Sequence, residues 1–593
     1  MLSYRRWLRV VRCGQICEPE AMHLYEYNGQ LINRRVKAFF IPGFIVTLAV
    51  TLSMFLDILL VGRMVGTAEM GAVQMSLPVT MFFNMIYMLF GTGGELLVAS
   101  AKGAQNGREA DKVFSLTMGF VVLLSLAVAI LGASFSGSIA DVLDKGSADM
   151  TPLIAKYIRI LFLGAPLMIC VMSCSSFVKA DALPNLSAGI ALTANVVNIV
   201  AKIIYMGPFK MGLAGAALGS VTGYTAGLAL LAACWLCNRK KRVLNIVPVG
   251  AGDLGKLGNV FLTGLPSSLG QGLGAVISWA TNALILSVAG QNGLVAMTAA
   301  NSLVIFLSTF RYAAPMAIAP LVGAMYGERD WWSMTQTAKK VMLICVAGTI
   351  VCILPAELFP AKVIAGFGAK DPQVIAMGSI MLRVLCLNVV LSVMIHIIMT
   401  YYQATGRKTL SIAISAMMDP LDYAAKYICC MAMGVAGLYV APIAASLIIV
   451  ALIFGAARYV EYSTKNAQLS YHGAFLIHEC NLPYAESCTI KCSEEEARGF
   501  AQTLKEFALK NGLSQTVADK TVEIVGKAAA GVVAKNAAKH DKSIDVMSVV
   551  WKNAMQIRIR DDGPKFASES EDGGLVTHAA IMGYNDTFVK VSE

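Results

Sequence analysis

The sequence has few charged residues for its length. Asp, Glu, Lys and Arg make up only 14% of its 593 residues, whereas 56% are hydrophobic and the mean hydropathy is +0.64. A soluble domain has about 25% charged residues, and a chain with so few could not cover its own surface in water. This scarcity excludes an ordinary soluble protein and indicates a protein of the lipid bilayer.

The chain also lacks the marks of a disulfide-bonded or secreted protein. Its 14 cysteines are scattered, and several lie inside apolar runs, including Cys170 and Cys174. The pair Cys234-x-x-Cys237 has neither a second pair nor a nearby histidine, so we interpret it as packing residues and predict no metal site. Residues 1–34 are basic and contain no apolar core followed by a cleavage site, so no secretory signal is evident.

The formal charge of +11 does not indicate nucleic-acid binding, because of where the charge lies. Much of it falls in short loops between hydrophobic runs, as in Asn238-Arg-Lys-Lys-Arg242. Such clusters mark the cytoplasmic loops of a membrane protein. We therefore expect a multi-pass protein of the inner (plasma) membrane with both termini in the cytoplasm.

Long apolar runs are abundant. Residues 39–60 contain a single charge, Asp57, and a run of this length matches the roughly 20 residues that a helix needs to cross about 30 Å of hydrocarbon. The bilayer offers no partner for a backbone amide, so such runs must be helices. We predict twelve spans, near 38–64, 74–100, 113–134, 154–178, 185–206, 212–236, 258–288, 293–325, 338–359, 374–402, 409–432 and 434–458.

The second six spans repeat the first six. Pro42 and Pro266 are 224 residues apart, as are Gly66 and Gly290. Other repeated pairs are Ala72 and Ala296, Phe177-x-x-Ala180 and Tyr401-x-x-Ala404 (all at 224), Met211-Gly-x-Ala-Gly215 and Met433-Gly-x-Ala-Gly437 (222), and Gly103-Ala-x-x-Gly107 and Gly323-Ala-x-x-Gly327 (220). With six spans each, the repeats share one orientation and are related by a pseudo-twofold axis along the membrane normal. The predicted fold is an all-α polytopic membrane protein with two six-helix bundles around a central cleft, the geometry of alternating access.

The composition changes after Tyr462. The remaining residues contain no apolar run long enough to span a membrane, and Ser493-Glu-Glu-Glu-Ala-Arg498 begins a helical pattern with acids in its first turn. Residues 544–550 and 555–560 have the pattern of strands. We predict four parts, namely a cytoplasmic segment 1–34, an N-lobe 35–245, a C-lobe 246–462 and a cytosolic α/β domain 463–593.

Ionisable side chains inside the spans are the first candidates for function, because they are costly there. Asp57 could bind and release a proton; the alternative is a carboxylate neutralised by a permanent salt bridge. Asn198 and Lys202 lie four apart on one face of the fifth span, and their mates at offset 224 are Asp422 and Lys426. Lys426 could neutralise Asp422, whereas Lys202 has no acid four residues before it, so we expect it to pair with Asp57. The alternative for either lysine is a side chain that reaches to the membrane interface.

Further polar residues inside the spans extend this set. Glu95 follows Gly91-Thr-Gly-Gly94, a stretch that allows a helix break or close packing. The second set of spans adds Arg311, Arg383, His396 and Asp419-Pro420. Each alone could be structural, but together they predict a wet interior that could hold a substrate.

These repeated residues resemble the multidrug and toxic compound extrusion (MATE) family of secondary transporters over about residues 35–460. The motifs that carry the resemblance are Asp57-Ile-Leu-Leu-Val-Gly-Arg63 with Gly71-Ala72, Gly103-Ala-Gln-Asn-Gly-Arg-Glu109, Gly212-Leu-Ala-Gly-Ala-Ala217, Pro320-Leu-Val-Gly-Ala-Met-Tyr-Gly327 and Tyr402-Gln-Ala-Thr-Gly-Arg407. The resemblance implies export of small organic compounds, often cations, in exchange for H⁺ or Na⁺ and without an organic cofactor. It also implies that Asp57 and Asn198 match the coupling acid and the asparagine of the DinF-like branch.

The sequence departs from the family pattern in two places. Lys202 stands where the DinF-like branch has an aspartate, and the span 258–288 has no acid, so the coupling glutamate of the NorM-like branch is missing. An ammonium fixed near Asp57 would hold that carboxyl ionised. Proton coupling there then requires the two groups to separate during the cycle.

The tail, over roughly 484–593, resembles GHKL-type ATPase domains of the anti-sigma-factor kinase kind. The resemblance rests on Asn536-Ala-Ala-Lys-His540, Arg560-Asp-Asp-Gly563 and Gly573-Gly574-Leu575. It implies that Asn536 holds Mg²⁺, that Asp561 binds the adenine of ATP, and that Gly563, Gly573 and Gly574 belong to the nucleotide-binding site. Gly531 and Val532 replace the expected general-base glutamate, so no obvious group activates water. We interpret the tail as a nucleotide-binding or degenerate regulatory module rather than an active kinase; the alternative is a partner-docking domain that binds no nucleotide.

We expect a monomeric MATE-like antiporter, not an enzyme, whose partners are small molecules, the bilayer and a cytosolic regulatory protein at the tail. One rival of the same superfold flips lipid-linked substrates. It predicts a basic cleft with contributions from Lys202, Arg311, Arg383 and Lys426. A second rival is a membrane sensor that signals through its ATPase-like domain.

Overall fold

A computed structural model describes residues 30–592, apart from residue 105, 145–149, 238–243, residue 329, 367–371, 465–469, 480–484, 537–542, 552–553, 562–569, 572–575 and 582–583. The chain divides into two compact units. We call Ala38–Arg329 with Ala338–Gly455 the membrane unit, and Met1–Lys37 with Asp330–Thr337 and Ala456–Glu593 the tail unit.

The first lobe of the membrane unit is helical throughout its predicted spans. Its helices are α1 Gln30–Met64, α2 Thr67–Met75, α3 Leu77–Tyr87, α4 Gly93–Gly103, α5 Gly107–Ser134, α6 Ser136–Asp144, α7 Thr151–Ala180, α8 Pro184–Met206 and α9 Gly212–Cys237. A π-helical turn, Met88–Thr92, joins α3 to α4. Pro184 suits the first position of α8, because its fixed φ is helical and no partner is needed there for an N–H group.

The second lobe repeats this arrangement. Its helices are α10 Gly255–Leu307, α11 Thr309–Glu328, α12 Trp331–Leu358, α13 Pro360–Gly366, α14 Pro372–Ala404, α15 Lys408–Met433 and α16 Val435–Thr464. Gly290 interrupts α10 with φ 64° and ψ −165°, between the predicted seventh and eighth spans. The eighth span is broken again at Ser308, whose hydroxyl donates to the Val304 carbonyl at 2.7 Å. Such back-bonding competes with the helix ladder.

Eleven helices among the described residues are long and apolar enough to cross a membrane. The twelfth predicted span, 409–432, is also a helix of spanning length, α15. Asp419, Asp422 and Lys426 lie within it, and these charges lower its mean hydropathy. The predicted positions of the helices are thus confirmed, while the composition of α15 sets it apart from the other eleven.

The two lobes meet in a symmetric contact. A Cβ atom on Gly103 would collide with the Ala324 carbonyl, and one on Gly327 would collide with the Ser100 carbonyl. Gly103 and Gly327 are 224 residues apart, as are Ser100 and Ala324. Such reciprocal contacts are what a two-fold axis produces. They also correct the offset of 220 inferred for this motif, because Gly103 corresponds in space to Gly327 rather than to Gly323.

The tail unit combines helices with an antiparallel sheet. Its elements are β1 Ser470–His472, β2 Ile477–Glu479, β3 Ala485–Lys491, α17 Glu494–Lys510, α18 Gln515–Asn536, β4 Ser543–Trp551, β5 Ala554–Asp561, β6 Ser570–Glu571, β7 Val576–Ile581 and β8 Tyr584–Ser592. Strands β1 and β2 pair with each other, and the other six form a sheet in the order β3-β4-β5-β8-β7-β6. The predicted helix start and the two predicted strands are confirmed as α17, β4 and β5.

The core of the tail unit lies between this sheet and its helices. Phe500 and Leu504 of α17 and Val525 of α18 pack in one cluster with Ile557 and Ile559 of β5. Ser493 caps α17, since its hydroxyl accepts a hydrogen bond from the Glu496 amide at 3.2 Å.

Candidate functional site

Asp57 of α1 and Lys202 of α8 form an ion pair inside the first lobe. The Lys202 Nζ atom lies 2.7 Å from Asp57 Oδ1, and the two side chains are 3% and 26% exposed. This is the contact that the spacing of the lysines predicts. A buried ammonium is strongly destabilising without a counter-ion, and the carboxylate of Asp57 is the counter-ion of Lys202.

A glycine stripe on α9 sets the position of Lys202. A Cβ atom on Gly219 would collide with Lys202 Cγ, and one on Gly223 would lie 2.7 Å from Asn198 Cβ. The glycines thus allow α9 to approach the face of α8 that carries both polar residues, as small residues do between membrane helices. Sequence reasoning missed this role, although glycines spaced by four residues (Gly219, Gly223, Gly227) were the signal.

Two tyrosines complete the surroundings of Asp57. Tyr157 of α7 is buried, Tyr224 of α9 is half-buried, and both phenols lie in electrostatic range of the Asp57 carboxylate. The Asn198 Oδ1 atom is buried and has no hydrogen-bond partner within the described part of the chain. Sequence reasoning missed both tyrosines, because neither belongs to the repeated polar pattern. The site therefore offers a carboxylate, an amide and two phenols beside a fixed ammonium.

The equivalent site in the second lobe is organised differently. Lys426 Nζ lies 2.5 Å from Asp422 Oδ2 of its own helix, α15. Lys202 instead pairs with a different helix. The ion pair of Lys202 therefore depends on how two helices pack, whereas the ion pair of Lys426 does not.

A second polar group in this lobe contains Arg311 and His396. The Nε atom of Arg311 on α11 donates to His396 Nε2 at 3.0 Å, while His396 Nδ1 lies 2.9 Å from the Ser392 carbonyl. Because Nε2 accepts a hydrogen bond, Nδ1 carries the proton and the imidazole is neutral. Asp419 of α15 lies in electrostatic range of Arg311. This arrangement leaves the guanidinium next to a neutral ring.

Arg383 does not join that group. It is exposed, and its Nε donates to the Glu357 carbonyl at 3.3 Å. Thirteen residues separate it from His396 on α14, a distance of about 20 Å along a helix.

Glu95 forms a third polar group in the first lobe. Its Oε2 atom lies 3.1 Å from Lys179 Nζ of α7, and the side chain is 1% exposed. The π-helical turn ends just before Gly93, and Cβ atoms on Gly91 and Gly94 would strike α7. Of the two alternatives predicted for 91–94, close packing is confirmed, whereas the chain stays helical there and has a π-helical turn in place of a break.

The nucleotide-binding candidates are only partly described. Asn536 ends α18, and Gly563, Gly573 and Gly574 lie outside the described residues. Asp561 ends β5 and is buried, on the side of the strand that carries Ile557 and Ile559, since side chains alternate along a strand. No group of three or more His, Cys, Asp and Glu that could hold a metal occurs in the described ranges.

The opposite side of β5 carries a buried ion pair. Arg560 contacts Asp330, and both side chains are less than one-tenth exposed. Asp330 also accepts a hydrogen bond from the Ser333 amide at 3.0 Å, in the first turn of α12. Burial opposes ionisation of Asp330, but Arg560 and Ser333 outweigh it and hold the pKa of this carboxyl below its usual value.

Two homologous lobes of membrane helices with buried ion pairs between their helices define a multi-pass membrane transporter. The family model of MatE matches the chain twice, over residues 42–204 and 266–428. The two matches are 224 residues apart at both ends, as the repeat predicts. The chain belongs to the MatE family, whose members are secondary transporters and not enzymes.

Similar proteins agree with this assignment. Multidrug export protein MepA of Staphylococcus haemolyticus is 22% identical over 65% of this chain and 84% of its own length. MepA of Staphylococcus aureus is 23% identical with the same coverage. A MATE transporter solved in an outward-facing conformation has a TM-score of 0.68 at 20% identity, over 74% of this chain and all of its own. A related transporter from Pyrococcus furiosus, described as having a binding pocket of reverse polarity, has a TM-score of 0.63 at 20% identity, over 72% of this chain and 96% of its own.

Proposed function

We infer that the protein is an antiporter that exports small organic compounds, often cations, across the plasma membrane in exchange for H⁺ or Na⁺. The observation that carries this inference is the ion pair of Asp57 and Lys202, which joins two spans of one lobe in a duplicated transporter. The multidrug export named for the MepA relatives supports the substrate class. Family members in general couple transport to ions.

Lys202 acts in this mechanism as a tethered cation. While its ammonium is paired with the Asp57 carboxylate, the negative charge of Asp57 is neutralised and a coupling ion does not bind there. When α1 and α8 separate, the carboxylate is released and binds H⁺ or Na⁺, with Asn198, Tyr157 and Tyr224 as neighbours. A coupling ion shifts the equilibrium between two arrangements only by its differential affinity for them. Lys202 supplies that difference, because it competes for Asp57 in one arrangement alone.

Transport by the purified protein in proteoliposomes tests this function. A cationic dye is offered under an imposed H⁺ gradient or an imposed Na⁺ gradient, and its movement is followed by fluorescence. We expect one gradient to drive transport and Asp57→Asn to abolish it. Asp422→Asn is the matched control, because its lysine partner lies on the same helix. Equal gradient-driven transport by wild type and Asp57→Asn would remove Asp57 from the mechanism.

We also propose that the tail regulates transport. The contact of Arg560 with Asp330 supports this role, since it attaches β5 of the tail sheet to the first turn of α12. That helix continues as a candidate span, Ser333–Leu358. A ligand that moves the end of β5 would therefore act on a membrane helix through one ion pair.

The GHKL resemblance identifies Mg²⁺ and ATP as the ligand to test, with Asp561 beside Arg560 as the adenine contact. Binding of a fluorescent ATP analogue to the full-length protein should be lost in Asp561→Asn, and ATP should change the transport rate of wild type. In Arg560→Gln, ATP should still bind but should no longer change that rate. If the analogue does not bind, the tail is a docking domain for another protein.

One observation favours a second substrate class. Arg311 donates to the neutral imidazole of His396, while the Asp419 carboxylate lies only in electrostatic range of it, so its charge is less closely paired than that of Lys202. An anionic, lipid-linked substrate would suit such a guanidinium. Competition of the dye with an anionic polyprenyl phosphate, and loss of that competition in Arg311→Gln, distinguishes this function from cation export.

A further inference from the structure

The carboxylate in the ion pair of Glu95 and Lys179 is more deeply buried than the carboxylate in that of Asp57 and Lys202. The Glu95 side chain is 1% exposed and Lys179 is 10% exposed, whereas Asp57 is 26% exposed. Tight packing encloses the pair, because Gly94 leaves no space for a Cβ atom against Phe177. Taking a carboxylate and an ammonium this far from water is costly unless every polar atom is satisfied.

Several polar atoms beside this pair are not satisfied. Glu95 Oε1, Thr117 Oγ1 and Ser173 Oγ are buried and have no hydrogen-bond partner among the residues that the structure describes. The three oxygens lie on helices that pack closely against one another. A Cβ atom added to Gly94 would lie 3.3 Å from Thr117 Cγ2, and one added to Gly91 would lie 3.1 Å from Ser173 Oγ. Buried oxygens without partners are rare in native structures and call for an explanation such as a bound proton, ion or water.

The pair also lies where the two lobes meet. Lys179 Nζ is 3.9 Å from the sulfur of Met316 on α11 in the second lobe. Gly93 packs so closely on α10 that a Cβ atom there would lie 2.8 Å from the Gly264 amide. A rearrangement of the lobes would therefore change the access of water to Glu95.

We propose that Glu95 binds a coupling proton, at a site separate from Asp57 and formed with Lys179, Thr117 and Ser173. This proposal rests on the transporter function proposed above. Where water reaches the pair, a proton bonds to the Glu95 carboxylate and makes a carboxylic acid. The pair then changes from neutral to a net charge of one, and the Lys179 ammonium loses its counter-ion. Closing that state away from water is unfavourable, so proton uptake favours one arrangement of the lobes.

The neighbours of Glu95 suit a proton better than a metal ion. Lys179 places a full positive charge 3.1 Å from the carboxylate, which opposes H⁺ and Na⁺ alike. A proton, however, bonds to a single oxygen and needs no cavity, whereas a metal ion needs space and several oxygen ligands. The other groups facing the pair are Ser176, which hydrogen-bonds Glu95, and Tyr87, which lies in electrostatic range of Lys179. The protonated acid gains a donor that a serine hydroxyl can accept. The family pattern has a coupling acid either at the position of Lys202 or in the span 258–288, and this chain has neither. Glu95 would supply the missing second carboxylate.

Infrared difference spectra of the full-length protein, recorded between mildly acidic and mildly alkaline buffer, test the site directly. A protonated carboxyl group has its own carbonyl band, and we expect a band that is lost in Glu95→Gln and retained in Glu109→Gln. Glu109 is the matched control because its carboxylate also pairs with a lysine, Lys256, at 2.8 Å, but is 37% exposed. The double variant Glu95→Gln with Lys179→Met removes both charges, so it serves if the single variant fails to fold.

Proteoliposomes connect the site to transport. In the variant lacking Glu95, H⁺-driven dye accumulation should be lost while dye exchange between equal concentrations continues, and the H⁺ released per bound dye should fall by about one. A carboxyl band and a proton count that do not change in this variant would overturn the proposal, as would dye transport driven by Na⁺ without proton release. If the band depends on Glu95 but wild type moves no dye, the transport function fails and the proton site stands.

Discussion

A double-mutant cycle on Asp57 and Lys202 tests whether the pair is a single buried unit. Asp57→Asn keeps the shape of the side chain and removes its charge, which leaves a lysine that is 3% exposed without a counter-ion. Lys202→Met keeps the length of the side chain and leaves a carboxylate that is 26% exposed. Each single variant therefore leaves one charge without its partner, and that charge is buried in Asp57→Asn but partly exposed in Lys202→Met.

The burial of each charge sets the expected magnitudes. Removing one partner of a buried pair costs about 3–5 kcal/mol of folding free energy. Asp57→Asn should fall in the upper part of that range, because Lys202 has almost no contact with water. Lys202→Met should fall at or below its lower end, because Asp57 remains partly hydrated. The double variant has no stranded charge and should lie within about 1 kcal/mol of wild type.

Unfolding in mixed micelles of a mild detergent and dodecyl sulfate, followed by circular dichroism, measures these differences. We expect a coupling energy of at least about 2 kcal/mol. The same cycle on Asp422 and Lys426 should give only about 0.3–0.5 kcal/mol, as expected for a partly exposed pair on one helix. Additive effects at Asp57 and Lys202, within about 0.5 kcal/mol, would refute the view that each charge depends on the other.

Three further predictions concern local contacts. Gly219→Ala should destabilise the protein and weaken transport because its Cβ atom collides with Lys202, whereas Gly119→Ala, in open space on α5, should be neutral or stabilise by up to about 1 kcal/mol; a milder effect at 219 than at 119 would contradict the glycine-stripe argument. The pKa of Asp330 is lower in the folded state than in the unfolded chain, so the ion pair with Arg560 should stabilise the tail unit above the ordinary carboxyl pKa and lose that effect as the pH falls through the lowered value. Thermal melts across this acidic range should show the loss in wild type and a flatter dependence in Asp330→Asn. Ser493→Ala should lower tail stability by about 1 kcal/mol in denaturant unfolding, while an unchanged midpoint would exclude a role for its cap.

The repeat shows how far sequence comparison reaches. The offset of 224 predicted the spacing of the two family matches, and the pairing of Lys202 with Asp57 followed from the absence of an acid four residues earlier. The same comparison misaligned Gly103 with Gly323, because Gly-Ala occurs at both places and short motifs carry little register information. Contacts across the lobes were needed to select Gly327.

Other pairings between buried charges could not be predicted from the sequence for a physical reason. The pairing of Glu95 with Lys179 joins residues 84 positions apart, and that of Arg560 with Asp330 joins residues 230 apart. Nothing in local periodicity specifies such partners. The tyrosines near Asp57 were missed because a tyrosine in an apolar span looks like ordinary core packing.

Hydropathy and periodicity determined that this protein is a bundle of membrane helices followed by a more polar domain of helices and strands, and motifs that recur at a nearly constant offset determined that the bundle is duplicated. Helix formation is a local property, because a helix in lipid satisfies its own backbone and needs no distant partner. Tertiary structure decided which charges meet, since the partner of a buried ion depends on how each helix is rotated and how closely glycines let it approach its neighbours. The same lysine pattern thus gives a bridge between helices at Lys202 and a pair within one helix at Lys426.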